Sequence, residues 1–322
     1  MNGMKIRIAT LCVVCTGMIA LSAAFLQARR IPAPDDAGTP VTVTVTAVAH
    51  GDTAPATVPQ NEVVVKQQDN VRKIISWTPV QPGQVSLDLV VMVDDSLSGR
   101  VAGNFGDLRD FVTTLPAGAR VAVVYSQNGG AHFEQPFTTD YAQAAKAFRV
   151  PSAVPGSAVG IYDSIRDLLK HWTPAEGSRR VLIVVSSGID LSEGAQDTNP
   201  ALNTSLQQAV EAAQRSGVVV YTIYAPDPGL SMREGWLNLN GQGSLGELAS
   251  ETGGQSYYEG SGNPVSFEPF MQNIHRLLGQ QYQLTFLAQT GEKVSIAKLR
   301  VTSEQSGIQL HAAEHVYIPA SR

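Results

Sequence analysis

The sequence predicts an α/β protein built on a doubly wound, mainly parallel sheet with one antiparallel edge strand. A small flanking β-sandwich unit is expected from its N- and C-terminal segments. Three observations lead there. Near-continuous apolar runs at residues 85–93 (VSLDLVVMV), 120–125, 180–185 and 217–224 have the character of strands buried on both faces. Segments of helical periodicity separate them, as βα units require. Before and after this region, apolar and polar residues alternate with period two, the mark of half-buried strands.

In chain order, residues 1–30 have a basic start (Lys5, Arg7) and an apolar run at 8–26 with small residues at 22–24. This describes a secretory signal peptide or a retained membrane anchor. Residues 31–40 (IPAPDDAGTP) are the linker. Residues 41–84 form the N-terminal β segment, with strands expected at 41–48 (VTVTVTAV), 62–66 (EVVVK) and 71–77 (VRKIISW). The α/β domain occupies 85–280. Its first helix aligns Val101, Phe105, Leu108, Val112 and Leu115 on one face. A Gly-rich turn then makes 132–138 the hairpin partner of 121–125, hence the antiparallel edge. The next helix aligns Ile161, Ile165, Leu168, Leu169 and Trp172. A third aligns Leu202, Leu206, Ala209, Val210 and Ala213, opened by a capping box at 204–207 and closed by Gly217. A late helix is expected at 245–252, a short strand at 255–258, and a long amphipathic helix from Phe267 to Leu278. The C-terminal β segment, 281–322, carries strands at 282–288, 294–302 and 308–318.

Composition removes several functions. The net charge of -5 and the lack of a basic run argue against nucleic acid. Both cysteines, Cys12 and Cys15, lie in the apolar N-terminal run, so residues 31–322 can form no disulfide and offer no thiolate. There is no G-x-S-x-G elbow and no phosphate loop. His311 and His315 have metal-pair spacing only on a helix, whereas their segment has strand character. Arg179 and Arg180 are expected at a surface strand start, and Asp88 at a strand start, solvated or paired. Gly241-Gln242-Gly243 is expected in a flexible loop. Trp236, Tyr257 and Tyr258 are candidates for contact surface or for packing; Trp77 and Trp172 are expected to be structural.

The feature with chemistry is Asp94-Asp95-Ser96-Leu97-Ser98, which leaves the carboxyl end of the 85–93 strand, where open α/β sheets bind ligands. Asp94, Ser96 and Ser98 offer one carboxylate and two hydroxyls, hard oxygen ligands suited to Mg²⁺, Mn²⁺ or Ca²⁺. The same residues are equally suited to capping the next helix and closing a tight turn. No catalytic residue is expected: adjacent Asp94 and Asp95 should point to opposite faces rather than converge.

Four segments, LVVMVDDSLS, AVGIYDSIRDLL, VLIVVSSGID and ELASETGGQSYYEG, resemble a von Willebrand factor type A domain over roughly residues 85–279. More narrowly, the chain is similar to a bacterial branch with flanking β segments. The resemblance implies a non-catalytic protein-binding module with a metal-ion-dependent adhesion site, in which a cation bridges protein and ligand. Asp94, Ser96 and Ser98 match its first loop. Ser157 is the only hydroxyl available for the second loop, and its spacing to Tyr162 is about two residues longer than the family pattern. In the third loop Ser187 of Ser186-Ser187-Gly188 occupies the family's aspartate position, which removes a negative charge and degenerates the site; Asp190 belongs to the next turn. The expected partner is an unidentified protein or peptide, held on a rim that includes Asp95, Ser186 and Ser187. The location is exported: periplasmic, secreted, or anchored to the outer face of the inner membrane through residues 8–26. The alternative is a metal-independent structural subunit of a cell-envelope assembly.

Overall fold

The computed structural model describes residues 38–49, 57–81, 85–152, 160–226 and 235–321. At its centre is strand β5 (Leu87–Asp94), every residue of which is buried. It pairs in parallel with β6 (Arg120–Gln127) on one side and β8 (Arg179–Ser186) on the other. Beyond β8 come β9 (Val218–Tyr224) and β10 (Ser256–Tyr257), both parallel; beyond β6 comes β7 (Gly130–Thr138), antiparallel. The sheet order is thus β10-β9-β8-β5-β6-β7. The edge is antiparallel because Asn128 and Gly129, both at positive φ (49° and 78°), make a two-residue hairpin turn.

Strand periodicity divides the core. Leu89, Val91 and Val93 face helices α1 (Phe105–Thr113) and α6 (Glu268–Leu278). Val90 and Met92 face α3 (Ile161–His171) and α4 (Thr204–Ser216). The short α2 (Tyr141–Lys146) and the long α5 (Gly235–Glu251) complete the helices of the described residues.

The flanking unit is a sandwich of two four-stranded sheets. One is ordered β13-β1-β11-β4, from Ile308–His311, Thr39–Ala49, Gln281–Ala288 and Ile74–Pro79. The other is β14-β12-β2-β3, from His315–Ile318, Ser295–Ser303, Val63–Gln67 and Asn70–Arg72. Val45, Leu284 and Phe286 from the first sheet meet Val65, Leu299 and Val301 from the second in one core. Trp77 stacks on Tyr282 at 4.2 Å, and its Nε1 donates to the Val58 carbonyl. Trp172 is buried as well.

Several expectations need correction. The single strands expected at 71–77 and 308–318 are each two strands that turn a corner between the sheets, at Lys73 and at 312–314. Neither stretch carries a Gly, Pro or Asn turn signal at its corner, so the turn chemistry does not show it. Leu202 is 63% exposed and precedes α4; the cap is Asn203, whose Oδ1 accepts from Leu206 N, not the box at 204–207. Helix α5 starts ten residues earlier than expected and absorbs Gly241-Gln242-Gly243. Arg179 is buried, donating to Leu278 O and Gln281 Oε1. Residues 1–37 lie outside the described residues, and with them the signal or anchor and most of the linker. Among the described residues no helix is long and apolar enough to cross a membrane.

Asp88 is fully buried and paired rather than solvated. It accepts from Arg120 Nε (2.9 Å) and Nη2 (2.5 Å), Ala175 N (2.8 Å) and Ser178 Oγ (3.1 Å). Burial pushes its pKa up, but the Arg120 contact and the other donors more than offset this, leaving it below the ordinary carboxylate value. A depressed folded pKa stabilises the fold above the unfolded value and loses that contribution as pH falls through the folded one. Asp88→Asn should therefore cost about 3 kcal/mol at neutral pH. The gap between wild type and variant should narrow below roughly pH 4. Urea denaturation across that range measures both; a pH-independent gap would refute the assignment.

Candidate functional site

The first loop leaves β5 at the carboxyl end of the sheet. Its carboxylate, on Asp94, is 4% exposed and enclosed by hydroxyls. Oδ1 accepts from Ser96 N (3.0 Å) and Ser96 Oγ (2.7 Å), with Ser126 Oγ at 3.5 Å. Oδ2 accepts from Ser186 Oγ at 2.7 Å. Ser186 in turn accepts from Gly188 N at 3.0 Å, which ties the third loop to the first. The structure thus brings together Asp94, Ser96 and Ser186. Ser98 Oγ accepts from Arg100 N at 3.3 Å and caps the 3₁₀ turn Gly99–Asn104. Ser157 lies outside the described residues.

The carboxylate of Asp95, a residue expected on the partner-binding rim, is fully buried. Arg149 Nη1 and Nη2 reach its two oxygens at 2.8 and 3.2 Å. Gln127 Nε2 (2.5 Å), Ser152 N (2.8 Å) and Ser152 Oγ (3.0 Å) complete the set. Burial raises the Asp95 pKa, and these donors, Arg149 foremost, bring it below the ordinary value. Arg149 also lies over the Tyr125 ring, 3.9 Å from its centroid. A charged side chain this close to the sheet is inside because a bidentate guanidinium can meet it there.

Ser186 and Ser187, also expected on the rim, have no exposed surface. The cause is α5, whose backbone lies directly on the third loop. A Cβ at Gly241 would stand 2.1 Å from Ser187 O, and one at Gly188 (φ 67°) would stand 2.3 Å from Gly241 O. Only glycine permits that approach. Ser187 Oγ accepts from Ile189 N at 3.3 Å, while Ile189 packs on Leu237 of α5.

Asp190 reaches back rather than outward. Its Oδ1 accepts from Gly160 N and Ser192 N, each at 3.0 Å, and so joins the third loop to the start of α3. Its Oδ2 is buried with no hydrogen-bond partner among the described residues. Tyr162, also buried, donates to Gly188 O at 2.7 Å.

The described donors offer a divalent cation little negative charge. Asp94 is their only family-matched carboxylate, and both its oxygens already accept hydrogen bonds. The Ser98 and Ser187 hydroxyls each accept a backbone N–H, at 3.3 Å. Hard cations are held by ligand charge, and the third loop contributes none at Ser187. Among the described residues no three His, Asp, Glu or Cys side chains are grouped for a metal.

Among the polar residues exposed at this end, such as Arg100, Asn128 and Glu193, several apolar side chains are exposed as well. Val150 (57% exposed) follows Arg149, and its Cγ1 would meet a Cβ on Gly99 at 3.2 Å. Trp236 (43%) and Leu239 (70%) stand on the first turns of α5, above the third loop. Tyr258 is 55% exposed, whereas Tyr257 is buried. Arg149, Ser152, Gln127 and Val150 escaped the sequence reading because no motif links 149–152 to the first loop. An arginine near a buried acidic pair would have been the only hint.

No family model matches the chain, and no curated protein is similar to it. Among solved structures, it is similar to the conserved hypothetical protein BatB from Bacteroides thetaiotaomicron: 17% identity, 60% of this chain, 97% of that chain, TM-score 0.44. An aerotolerance-related membrane protein from Bacteroides fragilis, with multiple mutations to serines, gives 18%, 60%, 98% and 0.43. The vWF domain of the type V pili tip protein Mfa5 from Porphyromonas gingivalis gives 13%, 61%, 96% and 0.41. Each is a likeness of fold. The chain's own topology, with the DDSLS loop leaving the central parallel strand, has the von Willebrand factor A-like arrangement that its motifs imply.

The close packing of α5 sets a contrast within one helix. Gly241→Ala forces a methyl group against Ser187 O and should destabilise the protein by about 2 kcal/mol. Gly246→Ala, whose Cβ would meet nothing within 4 Å, should stabilise it by up to about 1 kcal/mol. Thermal or urea unfolding of the two variants decides; equal effects would contradict the close approach.

Proposed function

We propose that the chain is a non-catalytic protein-binding module that docks its partner on the carboxyl-end rim of the parallel sheet without requiring a divalent cation. The observation that carries this reading is the pairing of a closed polar knot with exposed apolar side chains at the same end of the sheet. Asp94 and the serines are satisfied internally, while Val150, Trp236 and Leu239 present apolar surface at the same end. Apolar anchors around a rigid centre suit a protein contact. Asp94 and Asp95 engage separate sets of donors, which supports a non-catalytic reading, since a carboxylate pair needs a shared target. Residues 1–30 support export, with the module periplasmic, secreted or held at the outer face of the inner membrane.

The second reading is a permanent subunit of an envelope assembly, in which the β-sandwich makes the lasting contacts. It is favoured by the half-exposed Ile75 on the outer strand β4.

Affinity capture with the full chain separates these. Proteins captured by wild type should be lost with the double variant Val150→Asp/Leu239→Asp and retained in EDTA. Retention by the double variant would remove the rim proposal; loss in EDTA would restore the cation. Calorimetric titration of Mg²⁺ or Mn²⁺ should give the same heats for wild type and Asp94→Ala. A saturable heat that only wild type shows would mean that the knot opens to bind metal.

A further inference from the structure

At the opposite end of the parallel sheet, a second groove lies between the α/β domain and the sandwich. It has a volume of ≈ 200 Å³ and is lined by the 41–44 stretch of β1, the end of α4, and part of β14. Two features make it more than a crevice.

The first is an unfinished sheet edge. Strand β1 pairs along residues 39–46 with β11, but on its other side β13 covers only Thr46–Ala49. After His311 the chain turns the corner at 312–314 and enters the other sheet as β14. Along residues 39–45, the outward backbone groups of β1 therefore have no strand partner among the described residues. In an antiparallel ladder, every second residue would direct its N–H and C=O there.

The second is an uncompensated cation. Arg180 lines the groove and is partly buried, yet it has no hydrogen bond or ion pair among the described residues. Asp88, opposite it in register, is already satisfied by Arg120, Ala175 N and Ser178. Burial draws the Arg180 pKa down, and the Asp88 charge opposes this only in part. Arg215 and His315 line the same groove, with the Arg215 guanidinium 5.8 Å from the Tyr317 ring centroid, and no Asp or Glu lines it. His315 Nδ1 is held by Glu251, whose Oε2 also accepts from Gln214. A partly buried guanidinium without a direct ion pair favours a carboxylate ligand.

We propose that this groove binds an extended peptide segment of a partner protein, which adds as a strand to residues 39–45 of β1 in line with β13 and places an acidic side chain on Arg180. Backbone pairing supplies the affinity and the carboxylate sets the register, as in strand addition generally. The site is separate from the carboxyl-end rim, and neither proposal depends on the other.

The test is an NMR titration of the full chain with a panel of acetylated, amidated hexapeptides of alternating Thr and Val. One glutamate is placed at each position in turn. At least one register should give saturable shifts in the amides of residues 39–45 and in β14. Replacing its glutamate by glutamine, or N-methylating alternate amides, should weaken it by roughly tenfold or more. Arg180→Gln should do the same to the glutamate peptide alone, and Arg215→Gln, on a more exposed side chain, gives a milder loss should Arg180→Gln fail to fold. No saturable shift from any register at millimolar concentration would overturn the proposal. So would equal binding of the glutamate and glutamine peptides, shifts confined to Ser98 and Arg100, or self-association of the chain abolished by Arg180→Gln, which would assign the groove to a second copy.

Discussion

Three buried carboxylates on or beside one strand organise much of this molecule. Asp88 stands near the start of β5, Asp94 at its end, and Asp95 immediately beyond, none more than 4% exposed. An ionised carboxylate out of water must be surrounded by donors or it destabilises the fold by several kcal/mol. Asp88 draws in Arg120 and residues 175–178; Asp94 draws in Ser96 and Ser186; Asp95 draws in Gln127, Arg149 and Ser152. All of these donors but Ser96 come from segments distant in sequence. The central strand is thus a rod clamped at both ends, and the loops around it are placed by electrostatic necessity as much as by apolar packing.

Helix α5 adds the steric counterpart. Gly241 lets its backbone rest on the third loop, and Thr252 ties its far end to β9 by accepting from Val220 N. Gly253 fits against Ala312 and Ala313, at the corner between β13 and β14. One helix therefore connects the polar knot at the carboxyl end of the sheet to the sandwich. The Glu251-Thr252-Gly253-Gly254 segment has a physical role in this chain as a three-way junction.

Elements whose residues answer to one environment were legible in the sequence. Buried parallel strands, the faces of α1, α3 and α6, and the antiparallel edge all followed from periodicity and turn chemistry. Position at the end of β5 also made Asp94 and Ser96 legible. The rest depended on partners that periodicity does not name. Asp95 looks like rim because only Arg149, 54 residues on, makes its burial tolerable. Ser187 looks like rim until Gly241 covers it, and three glycines in nine residues suggest a loop unless close contact is demanded of that helix. The strand corners were hidden because neither carries a Gly, Pro or Asn turn signal.

Those corners have a consequence for how the chain acquires its shape. Strand β1 lies between β11 and β13, and β2 pairs with β12, so strands near the two ends of the described chain interleave. Thr42 and Thr285 touch across 243 residues of sequence. Contacts of such separation form late, because closing a long loop carries an entropic cost before any contact rewards it. The strands at 39–79 emerge early in synthesis, yet they must wait, as edges without partners, for residues 281–318 to arrive. The sandwich is therefore the seal on a molecule whose α/β domain can collapse earlier, and truncation at the far end would leave the N-terminal strands exposed to association with other chains.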